Sequence, residues 1–385
     1  MKSKDFIILV LIYIALGASW ESTGVAVFAA KFVGNVSTQQ INALSIIQYA
    51  AVLITGSFCY LFLQTHSIRT ILLSSIAVTM LTIILYVAFP IYSLLLLFYA
   101  VLGVSLACIK SSLYVYVQHH SSQQQDVSKQ LNFLEGFFFL GPFLFYLLSG
   151  YLIDKSPYLW RLAYLIPLLF FSICLVALFL YRDNFNFQLN SQLKKRLVIA
   201  QFIRSIRAVP VVIILLLIFV FAISGILNVW SPSLIYHYTH LKGISIFINT
   251  YTFIALIVGR IISGFLSKII KIKILLSVSS CLLVVCVILF MFTHIPYLIP
   301  LFSLFLGPTL IFVSSLLLTQ IESKDKYYLA FWVLIISSLG DIVGVRVIGS
   351  FIKIIPFHDT FTLILSMSIG VTLLSLCLFR RTKTI

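Results

Sequence analysis

The sequence predicts an all-α membrane protein with twelve transmembrane helices, on three observations. Apolar residues make up 61% of the 385-residue chain and charged residues only 9%, which lies outside the range of soluble domains. The apolar residues fall into runs close to the roughly 20 residues that a helix needs to cross hydrocarbon. Most of the 26 Lys and Arg residues gather in alternate connections between those runs, as expected for a chain threading back and forth across a bilayer.

In chain order the spans are 6–31, 42–63, 70–89, 92–117, 131–152 and 162–181, then 209–229, 246–265, 274–293, 298–319, 328–351 and 361–379. Each must be helical, because hydrocarbon holds no water to satisfy free backbone groups. The first follows Lys2 and Lys4 and so resembles a signal peptide, but its apolar run continues through Ala30 with no small-residue cleavage site. It reads as a retained helix. After the sixth span comes the one extended polar stretch, 182–208, carrying Arg182, Lys194, Lys195, Arg196, Arg204 and Arg207. This linker separates an N-terminal six-helix bundle, 1–181, from a C-terminal one, 209–385. With the N-terminus placed inside, only Lys31, Lys155, Arg161, Lys242 and Lys353 fall on the outer side, while Lys110, Arg260 and Arg346 fall within spans. Both termini are therefore expected in the cytoplasm, with a bacterial inner membrane as the location.

The net charge of +16 raises nucleic acid as a partner. The basic residues are spread over loops and not clustered on one face, so none is expected. Cys59, Cys108, Cys174, Cys281, Cys286 and Cys377 all lie inside apolar runs. They read as small core hydrophobes, not as disulfides or metal ligands, and no cofactor is implied.

The two sets of six spans carry a repeat. The loop after span 2 reads Tyr60-Leu61-Phe62-Leu63-Gln64-Thr65-His66-Ser67-Ile68-Arg69 and the loop after span 8 reads Gly264-Phe265-Leu266-Ser267-Lys268-Ile269-Ile270-Lys271-Ile272-Lys273, at a constant offset of 204 residues. Both resemble the G-x-L-x-D-R-x-G-R-K signature of the major facilitator superfamily, and the second, preceded by Gly259-Arg260, matches better. In the first, Gln64 stands for the expected carboxylate and Tyr60 for the first glycine, a departure at the charge latch that the motif forms between halves. Asn132-Phe133-Leu134-Glu135-Gly136-Phe137-Phe138-Phe139-Leu140-Gly141 and Gly307-Pro308-Thr309 are similar to patterns of the fucose-permease-like sugar symporters within that superfamily. The resemblance implies two pseudo-symmetric six-helix bundles related by an axis along the membrane normal.

Charged groups inside a bilayer cost at least roughly 2.5–3.5 kcal/mol and so face a bundle interior or a watery cavity. Glu21, near the middle of span 1 beside Trp20 and between Gly17 and Gly24, is the main candidate for proton coupling. The resemblance implies the same, since the sugar-symporter branch carries a proton-linked carboxylate on that helix. A Glu locked in an ion pair with a neighbouring helix is the alternative. Asp341, near mid-membrane in span 11, is a second coupling candidate; Arg346, five residues on, points to another face and snorkels outward, so the two are expected to pair with separate partners. Lys110 in span 4 stands where the branch more often shows a carboxylate. It either binds an anionic group of the substrate, pairs with Glu21, or neutralises Glu135. Arg260, Glu135 and Arg69 are gating candidates. Trp20, Lys110, Asn228 and Trp230 at the outer end of span 7, and Asn249 and Tyr251 in span 8, are candidates for binding substrate through amides and aromatic faces.

The expected function is secondary active transport of a small polar solute, sugar-like or nucleoside-like, by alternating access with protons as the coupling ion. The alternative is an efflux pump exporting a lipophilic compound or siderophore. The sequence carries no phosphate-binding loop motif, so direct use of ATP is not expected. A membrane-embedded enzyme would need a polar catalytic cluster, and the only adjacent His-carboxylate pair is His358-Asp359. The chain is expected to work as a monomer in the lipid bilayer, with the small-molecule substrate and protons as its partners.

Overall fold

Helices alone build the chain among its described residues, which in this computed structural model are 3–33, 38–120, 124–181, 185–186, 209–267, 269–319, 326–351 and 357–380. The first pass is two helices in line, α1 (Ser3–Trp20) and α2 (Ser22–Val33). Then come α3 (Thr38–Thr65), α4 (Ile68–Ala88), α5 (Tyr92–His120), α6 (Gln124–Lys155) and α7 (Leu165–Leu180), the last entered through a 3-10 turn at Leu159–Tyr164. The second set is α8 (Val211–Thr239), α9 (Lys242–Leu266), α10 (Ile272–Thr293), α11 (Ile299–Thr319), α12 (Lys326–Phe351) and α13 (Phe357–Arg380). Ten of these passes are long and apolar enough to cross a membrane; α11 and α12 stand where the tenth and eleventh spans are expected. Of the polar stretch 182–208, only Phe185 and Asn186 belong to the described residues.

Two departures from the expected spans bear on the site. The first span is interrupted at Glu21, which lies in a turn between α1 and α2. The seventh extends to Thr239 and not 229, because the polar run Trp230-Ser231-Pro232-Ser233 lowers hydropathy without ending the helix. Asn228 and Trp230 are therefore mid-helix residues, not residues of an outer end.

The packing repeats between the two sets. Within the first, α3 packs on α5, α6 on α1, and α7 on α1; within the second, α9 packs on α11, α12 on α8, and α13 on α8. Across the sets, α6 packs on α9 and α3 on α12. Exchanging one set for the other maps each pair onto its counterpart, the relation expected of two pseudo-symmetric bundles. Outward faces are apolar. On α9 the residues Phe247, Tyr251, Ile254, Val258, Ile261 and Phe265 form one exposed stripe at helical spacing, suited to hydrocarbon. Cys59 and Cys174 are buried as expected, whereas Cys281 and Cys377 lie on such outward faces, where a thiol meets lipid at no greater cost than in a core.

Proline and glycine set the closest helix contacts together. Pro232 has no N–H, so the Asn228 carbonyl four residues back has no helical donor; Gly24 of α2 sits against that oxygen, where a Cβ would collide. Pro142 frees the Phe138 carbonyl in the same way, and Gly17 of α1 fills the space above it. The freed oxygens thus lie under glycine backbones, which can approach them more closely than any other residue.

Candidate functional site

Glu21 sits where the first helix breaks. Its N–H still donates to the Gly17 carbonyl at 3.0 Å, but the next turn tightens, with the Gly24 N–H reaching back only three residues to the Glu21 carbonyl at 3.3 Å. That carbonyl also accepts from the Tyr146 hydroxyl of α6 at 3.0 Å. The Tyr146 hydroxyl lies 3.4 Å from the Asn228 carbonyl that Pro232 leaves free. The Asn228 amide of α8 donates to the Glu21 carboxylate at 3.2 Å. A carboxylate from the first set of helices is thus held by an amide from the second. Gln48 of α3 braces the break by donating to the Trp20 carbonyl at 2.9 Å and accepting from Thr23. Ser22 closes a buried ring of hydroxyls with Tyr99 and Tyr164, at 3.0–3.2 Å. Every exposed backbone group of the break named here has a partner, so the interruption is a built feature.

Toward the face where Ser3 starts the chain, Glu135 of α6 collects two cations. Lys110 of α5 bonds both its oxygens, at 2.9 and 3.0 Å, and Tyr114 donates at 2.8 Å. Arg260 of α9 approaches from the second set at 3.7 Å with its guanidinium over the Phe139 ring at 4.5 Å. At the opposite face the same helix pair is joined differently: the Asp154 carboxylate at the end of α6 accepts from the Gly243 N–H in the first turn of α9 at 2.8 Å. The antiparallel pair α6 and α9 therefore carries a contact between the two sets near each of its ends.

The family model described as Major Facilitator Superfamily matches residues 9–344. The chain belongs to that superfamily. Two solved structures share the fold: a major facilitator superfamily transporter, FucP, in the outward conformation, with a TM-score of 0.69 at 15% identity over 96% of this chain and 97% of that one, and a point mutant of the nucleoside transporter NupG, with a TM-score of 0.73 at 11% identity over 97% and 99%. No curated protein matches the sequence. As a member of the major facilitator superfamily the chain is a multi-pass membrane transporter and not an enzyme.

Within this superfamily fold the expected site residues separate into groups. Glu21, Asp341 and Asn228 come together around α8, since Gly225, one turn before Asn228, packs directly on Asp341. Trp20 lies beside them, edge-on to Tyr49 at 5.2 Å. Lys110, Glu135 and Arg260 form the second group; of the three readings of Lys110, its contacts are those of the Glu135 partner. Asn249 and Trp230 are fully buried at the α8–α9 contact, where Asn249 accepts from Ser231 and from Thr252. Tyr251 stands apart on the exposed apolar stripe of α9. Arg69 is also apart: its Nε donates to the Leu178 carbonyl at 3.0 Å and its N–H to the Phe185 carbonyl at 3.0 Å. Among the described residues these hydrogen bonds close the end of α7 within its own bundle. The expected ion pairs of Asp341 and Arg346 are not formed among the described residues; Arg346 is exposed, as snorkelling requires. The side chains of His358 and Asp359 lie outside the described residues. Tyr146, Tyr49 and Asp154 were not expected. Asp154 alone had a signal, as one of only 10 acidic residues.

Proposed function

We propose that the chain is a secondary active transporter that moves a small polar solute, sugar-like or nucleoside-like in its hydrogen bonding, by alternating access coupled to protons. The two rocking units are residues 1–181 and 209–385, joined by 182–208, in a bacterial inner membrane with both termini in the cytoplasm. The protein acts as a monomer. Glu21 carries the proton, Asp341 assists it, and Trp20 with Asn228 contacts the solute, while Glu135 and Arg260 gate the cytoplasmic side.

One observation supports this reading above the rest: a carboxylate at a helix break in mid-bundle, 5% exposed, whose side-chain partner, Asn228, comes from the other set of helices. A residue so placed senses both the proton and the relative position of the halves. In proteoliposomes loaded with solute, Glu21→Gln is expected to lose the dependence of uptake on a proton gradient. A variant that keeps its full dependence on the gradient overturns the coupling role.

A further inference from the structure

The charges in the interior do not balance locally. Both interior cations turn to Glu135, and among the described residues no cation lies in ion-pair contact with Glu21 or Asp341. Among the same residues Asp341 makes no hydrogen bond either. Yet the two carboxylates are neighbours. Asp341 packs on Gly225, 3.0 Å from where a Cβ would stand, and Asn228, one turn further along the same face of α8, holds Glu21. Glu21 acts electrostatically on Asp341, while Lys110 acts on both carboxylates and Arg260 on Glu21 without an ion-pair contact to either. Two neighbouring carboxylates in a low dielectric, whose nearest cations make their contacts at Glu135, form a site of negative potential.

A second observation is independent of these charges. The Tyr49 side chain is 2% exposed, and its hydroxyl has no hydrogen-bond partner among the described residues. It faces the same space, within electrostatic reach of Asp341, Glu21 and Tyr146, with Trp20 edge-on to its ring. Protons alone would neutralise the carboxylates but have no use for an aromatic pair. An ammonium group uses both, because the faces of Trp and Tyr attract a desolvated cation and carboxylates supply the counter-charge.

We infer that Glu21, Asp341, Trp20 and Tyr49 form a site for the ammonium group of an organic cation, so that the polar solute carried is an amine or quaternary ammonium compound. This deepens the transport reading above and rests on it. Proton and ammonium group then compete for the same Glu21 oxygens, which ties the solute to the coupling role of that residue.

The test uses the full-length protein in lipid nanodiscs, titrated with choline and benzyltrimethylammonium and with their uncharged carbon isosteres, 3,3-dimethylbutan-1-ol and neopentylbenzene. The same solutes are then run in proteoliposome counterflow beside uncharged hexoses and nucleosides. At least one cation is expected to bind saturably, and its isostere at least about tenfold more weakly. Asp341→Asn, which removes no bond the fold uses, is expected to weaken cation binding by about tenfold, and Tyr49→Leu to weaken it independently. Equal binding of cation and isostere, no binding of either cation, or an Asp341→Asn variant with unchanged affinity overturns the site. Counterflow of neutral solutes without counterflow of cations overturns the cation class and leaves the transport reading standing; counterflow of no solute at all overturns both.

Discussion

The two ends of the α6–α9 pair are closed by different chemistry. Near the N-terminal face two cationic side chains and a tyrosine hydroxyl converge on the Glu135 carboxylate; at the opposite face one carboxylate meets one backbone N–H. The difference shows how each end can open cheaply. When the sets part at the first end, the contact that breaks is the long one, Arg260 to Glu135 at 3.7 Å. The short Lys110–Glu135 pair at 2.9 Å lies inside the first set and goes with it, so no buried carboxylate is orphaned. At the other end Asp154 is exposed, and both it and the Gly243 N–H return to water. Neither opening strands an unpaired carboxylate in oil, as an alternating mechanism with small free-energy differences between states requires.

The largest effect expected from breaking this arrangement is at Glu135. Glu135→Gln leaves Lys110 and Arg260 both without a counter-ion where their side chains are only 12% and 10% exposed. Loss of one partner of a buried pair destabilises by about 3 kcal/mol, and a marked fall in melting temperature in detergent is the expected reading. Adding Lys110→Met to that variant removes one of the stranded cations, so the double variant should melt above Glu135→Gln alone. Additive losses in the double-mutant cycle would mean that the two residues are not coupled and that the closure near this face is not a charge network.

A smaller effect is expected at the other end. Asp154 caps the first turn of α9 from another helix, the place where a carboxylate favours the helix dipole. Asp154→Ala should lower stability by no more than about 1 kcal/mol, but it should shift the transporter toward opening at that face. With the native cysteines replaced by alanine and a reporter cysteine at Ile246, which packs beside Gly150, labelling by a water-soluble maleimide should quicken. Gly243→Ala, whose added Cβ would meet the Asp154 carboxylate, should do the same. Unchanged labelling in both variants would leave closure at this face to other contacts, such as the Phe28–Phe32–Tyr236 ring cluster.

Much of this architecture is legible in the residues themselves, and the remainder fails for identifiable reasons. Glu21 stands out because a carboxylate in an apolar run is rare enough to need a reason, and the offset of 204 residues between loops recurs in the helix starts at Ile68 and Ile272. The break at Glu21 is not legible, since Gly17 and Gly24 are equally at home in a continuous helix. The depth of Asn228 is hidden by Pro232, which hydropathy counts as polar punctuation although the helix absorbs it by lending the freed carbonyl to Tyr146 and Gly24. Nothing local separates Tyr49 or Tyr146 from the other tyrosines among the 19 in the chain. Arg69 looks like part of a latch between halves, but its partner is a carbonyl 109 residues away in its own bundle, a pairing no periodicity reveals.

The smallest expected effect lies between the two ends. Tyr251 and Asn249 are two positions apart on α9, so they point to nearly opposite sides of the helix. Asn249 is buried against Ser231 of α8, while Tyr251 is 42% exposed among Phe247, Ile254 and Val258. If α9 couples its two ends through its buried face alone, Tyr251→Leu exchanges one apolar lipid contact for another. Stability should then stay within about 0.5 kcal/mol, and counterflow, maleimide labelling at Ile246 and the Glu135 double-mutant cycle should all match the unaltered protein. A clear loss of counterflow with normal stability would put Tyr251 in the solute path, and the outward stripe of α9 would then be part of the transport route and not a lipid surface.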